Sequence, residues 1–300
     1  MKKILLTGSN GLLGQKLVEL LVSTTNHDVY ATARGENRLP FTKGYTYTPM
    51  DITDKTQVQE VIDRIKPEVI INTAAMTNVD MCETAKDDCW KQNVNAVEFL
   101  VEAAERNRCF LLHVSTDFIF DGKNGPYKED AEANPISFYG WSKYAAEKIV
   151  INSNIRWAIA RTVLVYGIAH DMSRTNIILW VKKSLEDGKN IKVVTDQWRT
   201  PTLAEDLAKG CLLISEKEAE GIYNISGKDF LTPYEMAIMT ADYFNLDKSL
   251  ISKADSTTFT QPAKRPPRTG FDLTKSNEVL GYNPVSFTEG IEILAKQIGA

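Results

Sequence analysis

The sequence predicts an α/β fold: a Rossmann-type, doubly wound parallel sheet with a smaller C-terminal substrate lobe. Three observations carry this. A short apolar run, Ile4 to Leu6, enters a glycine cluster (Gly8, Gly11, Gly14), and a helical stripe of Leu13, Leu17, Leu20 and Leu21 follows at once. Strand-like and helix-like stretches then alternate along the first half of the chain. VIINTAA and FLLHVST are nearly continuous apolar runs, as in strands buried on both faces.

Taken in order, strands are expected at 3–7, 29–33, 45–50, 69–73, 110–115, 157–162 and 191–194. Helical patterns fall at 55–65, 176–186, 203–215 and 233–244. Polar clusters close the strands: TGSNG, ATARG, NTAAMTN, VSTD and RTVLVYG. Ligands of such sheets bind outside the strand C-terminal ends, where these clusters sit. After Tyr166 helical patches mix with loops and with the polar, proline-rich QPAKRPPRTG. The expected division is a dinucleotide-binding domain at 1–166, with 191–215 returning to it, and a substrate lobe from 167–190 and 216–300.

The glycine spacing suits a dinucleotide pyrophosphate. Gly8 permits a tight turn, Gly11 lets backbone approach the phosphates, and Gly14 lets helix pack on strand. The free N–H groups of that helix face the anion, so Gly8, Ser9, Asn10, Gly11, Leu12 and Gly14 are the expected cradle. The second strand ends in Arg34, and no acid follows until Glu36. A guanidinium suits a ribose 2′-phosphate, which favours NADP, with NAD left open. The alternative for Arg34 is a solvated loop arginine. Asp51 is a candidate acceptor for the adenine amino group, or else a cap for helix 55–65, a role that Thr53 or Asp54 could also fill.

The chain has 300 residues, 43% of them hydrophobic and 25% charged, as in an ordinary globular protein. The net charge of −4 lacks the basic face of a nucleic-acid binder, so no nucleic-acid partner is expected. No apolar run has the length of a membrane span. The stretch behind Lys2 and Lys3 enters the glycine loop and reads as a strand rather than a signal peptide. Cys82, Cys89, Cys109 and Cys211 show no metal or redox spacing and read as reduced thiols of a cytoplasmic protein. His27, His113 and His170 are too scattered for zinc. No metal site is expected, and His113 reads as a core residue of its strand.

The chemistry is expected where VSTD ends a buried strand. Further on, Tyr139 and Lys143 are four apart, hence on one face of a helix. An ammonium beside a phenol favours the phenolate and brings the tyrosine toward working pH. Tyr139 would then serve as general acid for a carbonyl oxygen, with a Ser115 or Thr116 hydroxyl holding that oxygen. Pro135 and Gly140 put Tyr139 at an exposed first turn. A second pair, Tyr144 and Lys148, is rotated from the first. Tyr144 reads as a packing residue beneath a snorkelled lysine.

Together, TGSNGLLG, NTAA, VSTD and Tyr139-x-x-x-Lys143 resemble the extended short-chain dehydrogenase/reductase family. VSTDFIFDGKNGPYKEDAEANPISFYGWSKYAAE resembles its dTDP-4-dehydrorhamnose reductase branch, and the likeness extends through VVTDQWRTPT, TPYEMA and KRPPRTGFDLTKSNEVLGY. The resemblance implies a catalytic set of Thr116, Tyr139 and Lys143, with Tyr139 as proton donor and Lys143 on the nicotinamide ribose. It adds Asp51, Ile52, Ala74 and Ala75 to the cofactor lining, and leaves Asn95 as either a participant or a structural asparagine. A nucleotide sugar would lie between the lobes against Thr116, Asp117, Leu164, Trp198 and Arg265, its 4-keto group accepting the hydride. A homodimer is left open.

Two segments depart from the branch. Leu164 stands where it commonly carries a tryptophan, and Asp196–Thr202 has Trp198 and Arg199 in a D-Q-x-G-x-P-T frame. Both fall where the sugar would touch the protein. Two other readings follow. One is a non-catalytic NADP-binding regulatory subunit, like the methionine adenosyltransferase β subunit. The other is a sugar-nucleotide epimerase or dehydratase. Phe118 in place of an acid after Asp117 speaks against a dehydratase, and Arg34 against the tightly held NAD of an epimerase.

Overall fold

The computed structural model describes residues 1–171 and 175–299. Strands β1 (Lys3–Thr7), β2 (Asp28–Ala33), β3 (Tyr45–Pro49), β4 (Val69–Asn72), β5 (Phe110–Thr116) and β6 (Arg156–Thr162) come first. Between them lie α1 (Leu12–Thr24), α2 (Lys55–Ile65), the short α3 (Val79–Thr84) and α4 (Lys86–Trp90), α5 (Ala96–Asn107) and α6 (Phe138–Ile151). The rest of the chain adds β7 (Val165–Tyr166), α7 (Ile177–Glu186), β8 (Ile191–Val194), β9 (Thr202–Leu203) and α8 (Ala204–Lys217). It ends with β10 (Gly221–Asn224), α9 (Pro233–Tyr243), β11 (Ile251–Ala254) and α10 (Phe287–Gln297).

The main sheet has seven strands in the order β10-β6-β5-β4-β1-β2-β3, every pair parallel. The chain reverses its direction of travel between β1 and β4, the switch point where ligands of this architecture bind. Alternate residues of each strand enter opposite layers. Ile4 and Leu6 pack with Leu17 and Leu21 of α1 and Leu207 and Ile214 of α8. Leu5 and Ile70 pack with Val58 and Ile62 of α2, Leu100 of α5 and Val150 of α6. Full burial of such a side chain is worth about 1.5–3 kcal/mol, so these two layers hold the strand ends in place.

The smaller sheets lie outside this frame. β7 pairs with β9, and β8 with β11, while α7, α9 and α10 pack around them. Thr232 and Ser286 start α9 and α10 with reciprocal capping boxes. Among the described residues no helix is long and apolar enough to cross a membrane.

One expectation is corrected here. Residues 191–194 do not return to the main sheet; they pair with β11. The run IKVV exposes Lys192 between buried Ile191 and Val193, a one-sided pattern that does not suit a sheet covered on both faces. The helix after it, α8, does pack on the main sheet. The seventh strand is β10, from the stretch expected in the other lobe. It has four residues at the end of the sheet, paired with β6, and its sequence carries little strand signal.

Candidate active site

The glycine loop is built as its spacing requires. Gly8 has φ +70°, and a Cβ there would lie 2.8 Å from the Ala74 nitrogen. A Cβ on Gly14 would lie 2.2 Å from the Gly8 carbonyl oxygen. Gly11 is the N-cap of α1 and supplies no side chain to cap it. The first-turn N–H groups therefore have no intrahelical acceptor and are free for an anion. The buried Ser9 hydroxyl has no hydrogen-bond partner among the described residues. A bare helix N-terminus behind a loop that only glycine can form fits a dinucleotide phosphate.

Around it, Asn10 shapes the loop after β2. Its Nδ2 donates to the Glu36 carbonyl (2.8 Å), and its Oδ1 accepts from the Arg38 N–H (3.0 Å). Arg34 is exposed at the strand end beside this anchored loop. Of the two roles left open for Asp51, capping is not the one observed. Asp54 caps α2 by accepting from the Gln57 N–H, while Asp51 Oδ1 accepts from the Thr53 N–H and hydroxyl. Ile52 is buried, and Ala74 and Ala75 follow β4 with partial exposure.

Thr116, Tyr139 and Lys143 come together at the end of β5. Ser137 caps α6 through the Gly140 N–H, and the helix opens at Phe138. Tyr139 is not at an exposed turn, as expected, but 8% exposed, its ring edge-on to Phe118 and packed with Cys82 and Cys89. The helices α3 and α4 cover it, which the local sequence around Tyr139 does not reveal. Burial pushes its phenol above the ordinary range, not toward working pH as expected, while the neighbouring Thr116 hydroxyl pulls it back. Thr116 Oγ1 in turn donates to Asp117 Oδ1 (3.1 Å).

Lys143 is 2% exposed. Its Nζ donates to the Val114 carbonyl (2.8 Å) and lies 3.0 Å from His113 Nε2. Burial lowers its ammonium to about 8, against the attraction of Glu147. The second pair behaves as expected: Lys148 Nζ lies over the Tyr144 ring at 5.6 Å.

The expected substrate contacts are more dispersed. Leu164 is 43% exposed and has φ +38°, a left-handed conformation that strains a branched residue. Asp117 is buried, and its carboxylate is held by Thr116, the Thr269 hydroxyl and Arg199 at 3.8 Å. Arg199 is buried and donates to the carbonyls of Trp198 (2.7 Å) and Pro266 (2.7 Å). It thereby fixes the segment after Pro266 against Asp117. The Trp198 ring stacks under the Arg268 guanidinium, 4.9 Å away. Arg265 pairs with Asp80 of α3 (2.8 Å) and lines a cavity of about 420 Å³ with Trp180, Lys192 and Phe259.

Sequence reasoning missed three residues. Asn93, not Asn95, is the buried asparagine. Its Oδ1 accepts from the Met76 N–H (2.8 Å) and its Nδ2 donates to Ser142 Oγ (3.0 Å), tying the loop after β4 to α6. The Asn95 side chain donates to nearby Glu98 (3.1 Å). Arg199 was noticed as a departure but not as the partner of Asp117. His113 was read as core, and it is, but it also meets Lys143. Its only sequence signal is a polar residue in the apolar run FLLHVST.

This fold and site define a Rossmann protein of the extended short-chain dehydrogenase/reductase type. The chain belongs to the family described as RmlD substrate binding domain, whose model matches residues 1–299. A dTDP-4-dehydrorhamnose reductase of Aggregatibacter actinomycetemcomitans is 34% identical, covering 97% of this chain and 98% of its own. A methionine adenosyltransferase 2 subunit beta of Xenopus tropicalis is 31% identical, covering 83% and 74%. The crystal structure of a Bacillus anthracis dTDP-4-dehydrorhamnose reductase in complex with NADP is 26% identical with a TM-score of 0.84, covering 99% of each chain.

Proposed function

We propose that this protein reduces the 4-keto group of a nucleotide-linked deoxysugar with NADPH, the first candidate being conversion of dTDP-4-dehydrorhamnose to dTDP-rhamnose. The observation that carries the reading is the buried convergence of Thr116, Tyr139 and Lys143, on the edge of the sheet that also carries the uncapped α1 N-terminus. A purely binding protein has no need of a buried phenol and ammonium on one helical face. The similar reductases, one of them complexed with NADP, support the same reading.

In this proposal Gly8 to Gly14 and the α1 N-terminus hold the pyrophosphate, Arg34 meets the 2′-phosphate, and Asp51, Ile52, Ala74 and Ala75 flank the adenine and the chain end of β4. The cofactor supplies a hydride to the keto carbon. The Thr116 hydroxyl holds the keto oxygen, and the Tyr139 O–H delivers its proton as charge develops there. The raised phenol stays protonated at neutral pH, as a proton donor must. Lys143 keeps a positive charge beside the phenolate that remains, stabilising it. The cavity beside Arg265 offers aromatic faces (Trp180, Phe259) for a base and cations (Lys192, Arg265) for a diphosphate, as a nucleotide sugar requires. The seven-stranded part with α8 would hold the cofactor and the remainder the sugar nucleotide. Four free, buried cysteines suit a reducing cytoplasm.

The test is incubation with NADPH and a panel of 4-keto nucleotide sugars, following nicotinamide absorbance. Oxidation is expected with at least one sugar. Tyr139→Phe should lower kcat by roughly 10²–10⁴-fold, the contribution typical of a general acid, and leave NADPH binding unchanged. The second reading, a regulatory NADP-binding subunit, is favoured by the 31% identity to a methionine adenosyltransferase β subunit. It is the outcome if NADPH binds but no sugar in the panel oxidises it.

A further inference from the structure

We propose that His113 is the positioning residue of Lys143: a neutral imidazole that accepts a hydrogen bond from the ammonium and fixes where it points. The proposal deepens the reductase reading and rests on it.

The geometry is a buried polar line across three neighbouring strands. Thr7 of β1, Asn72 of β4 and His113 of β5 are aligned in register. All three are at most 1% exposed. The Thr7 hydroxyl donates to Asn72 Oδ1 (2.6 Å), Asn72 Nδ2 lies 3.0 Å from His113 Nδ1, and His113 Nε2 lies 3.0 Å from Lys143 Nζ. The line starts one residue before Gly8 and ends on the lysine, so it joins the glycine loop to the catalytic helix through the middle of the sheet.

Charge decides the protonation pattern. An ammonium has three donors and no acceptor. Val114 takes one donor, and Nε2 must take a second with its lone pair. The ring proton therefore sits on Nδ1, so the Asn72 amide takes the flipped assignment, its oxygen toward Nδ1 and its NH₂ donating to the Thr7 oxygen. Amide oxygen and nitrogen are assigned from such networks rather than from position alone. Burial and the facing ammonium both drive His113 far below the ordinary histidine range, so it stays neutral. The other groups facing Lys143 do not change this. Glu147 is engaged by Arg161 at 2.8 Å, Cys89 has its thiol lowered by hydrogen bonds with Cys82, Ser142 and Asn93 and so favours the charged lysine, and Tyr139 is a neutral phenol. Lys143 and His113 are both almost fully buried, so the imidazole takes the place a water would hold at an exposed ammonium.

Two measurements test this. Nitrogen NMR of the cofactor-free protein should show one histidine that stays neutral through mild acid, protonated at Nδ1 and bare at Nε2. A proton on Nε2 overturns the proposal, since Lys143 could not donate to it. That measurement stands whether or not any sugar is reduced, so it separates failure here from failure of the reductase reading. In kinetics, His113→Leu removes the acceptor. A misplacement of about 1 Å costs on the order of 10²-fold, so kcat should fall by that much with KM for the sugar nucleotide unchanged. Losing a hydrogen bond to the charged form also lowers the ammonium pKa, so the alkaline limb of kcat should move to lower pH. His113→Gln, which offers an acceptor at the same reach, should restore both. A folded His113→Leu enzyme with wild-type kcat and wild-type alkaline limb overturns the proposal, as does a folded His113→Gln enzyme as impaired as the leucine variant.

Discussion

Arg34 follows β2 directly and is exposed, beside a loop that Asn10 and Tyr47 anchor through the carbonyls of Glu36 and Gly35. A guanidinium held at that edge can meet a 2′-phosphate with paired, charge-assisted hydrogen bonds, worth about 1.5–3 kcal/mol each before solvent screening. Arg34→Ala should therefore weaken NADPH binding by about tenfold or more and leave NADH binding unchanged, read by fluorescence titration. Equal losses for both would return Arg34 to the role of a solvated loop residue. At this scale the sequence was a good guide to where Thr116, Tyr139 and Lys143 lie in the fold, because a strand end and a four-residue helical spacing are local facts. It was a poor guide to His113 and Arg199. Their partners, Lys143 and Asp117, are 30 and 82 residues away, and only the sheet and the segment after Pro266 bring them together.

The packing of α1 depends on a single position, Gly14. Ala is the better helix former than Gly by about 1 kcal/mol, so an unconstrained helical glycine would be improved by Gly14→Ala. Here the added Cβ would lie 2.2 Å from the Gly8 carbonyl oxygen, backbone that cannot swing aside. The helix must move off β1, at the roughly 1–3 kcal/mol typical of overpacking. Gly14→Ala should accordingly lower the urea midpoint. Gly11→Ala is the contrast, because its Cβ would meet only the Gly8 oxygen at 3.3 Å and its φ of −83° suits any residue. It should cost less stability and act on NADPH affinity instead. An unfolding midpoint as low in Gly11→Ala as in Gly14→Ala would refute this division of roles. Elements of the main sheet were legible from their own pattern too: strands such as VIIN are buried at every position and apolar until the last. β10 was not legible, since its four residues take their strand conformation from β6 rather than from their own pattern.

At the scale of the whole molecule, one ion pair joins pieces of chain that no local signal relates. Asp80 lies on α3, one of the two helices that cover Tyr139, and Arg265 lines the cavity proposed for the nucleotide sugar. The Asp80 carboxylate accepts from both ends of the guanidinium (2.8 and 3.2 Å) and from the Ala263 N–H (3.2 Å). The Arg265 hydrogen bond holds the Asp80 carboxyl below its ordinary range. A depressed carboxyl keeps its contact above the unfolded pKa and loses it only as pH falls through the lower, folded one, so the pair is intact throughout neutral pH. Both side chains are partly exposed, 34% for Asp80 and 21% for Arg265, and an exposed pair is worth at most about 1 kcal/mol. Asp80→Asn should therefore leave folding nearly untouched but free Arg265 from its fixed direction. KM for the sugar nucleotide should rise by up to about fivefold, the equivalent of that ~1 kcal/mol, while NADPH affinity stays at the wild-type value. The two constants discriminate between roles. A parallel loss of NADPH affinity would mean that Asp80 supports the Tyr139 side of the site through α3, and an unchanged KM would mean that the direction of Arg265 does not matter to the substrate.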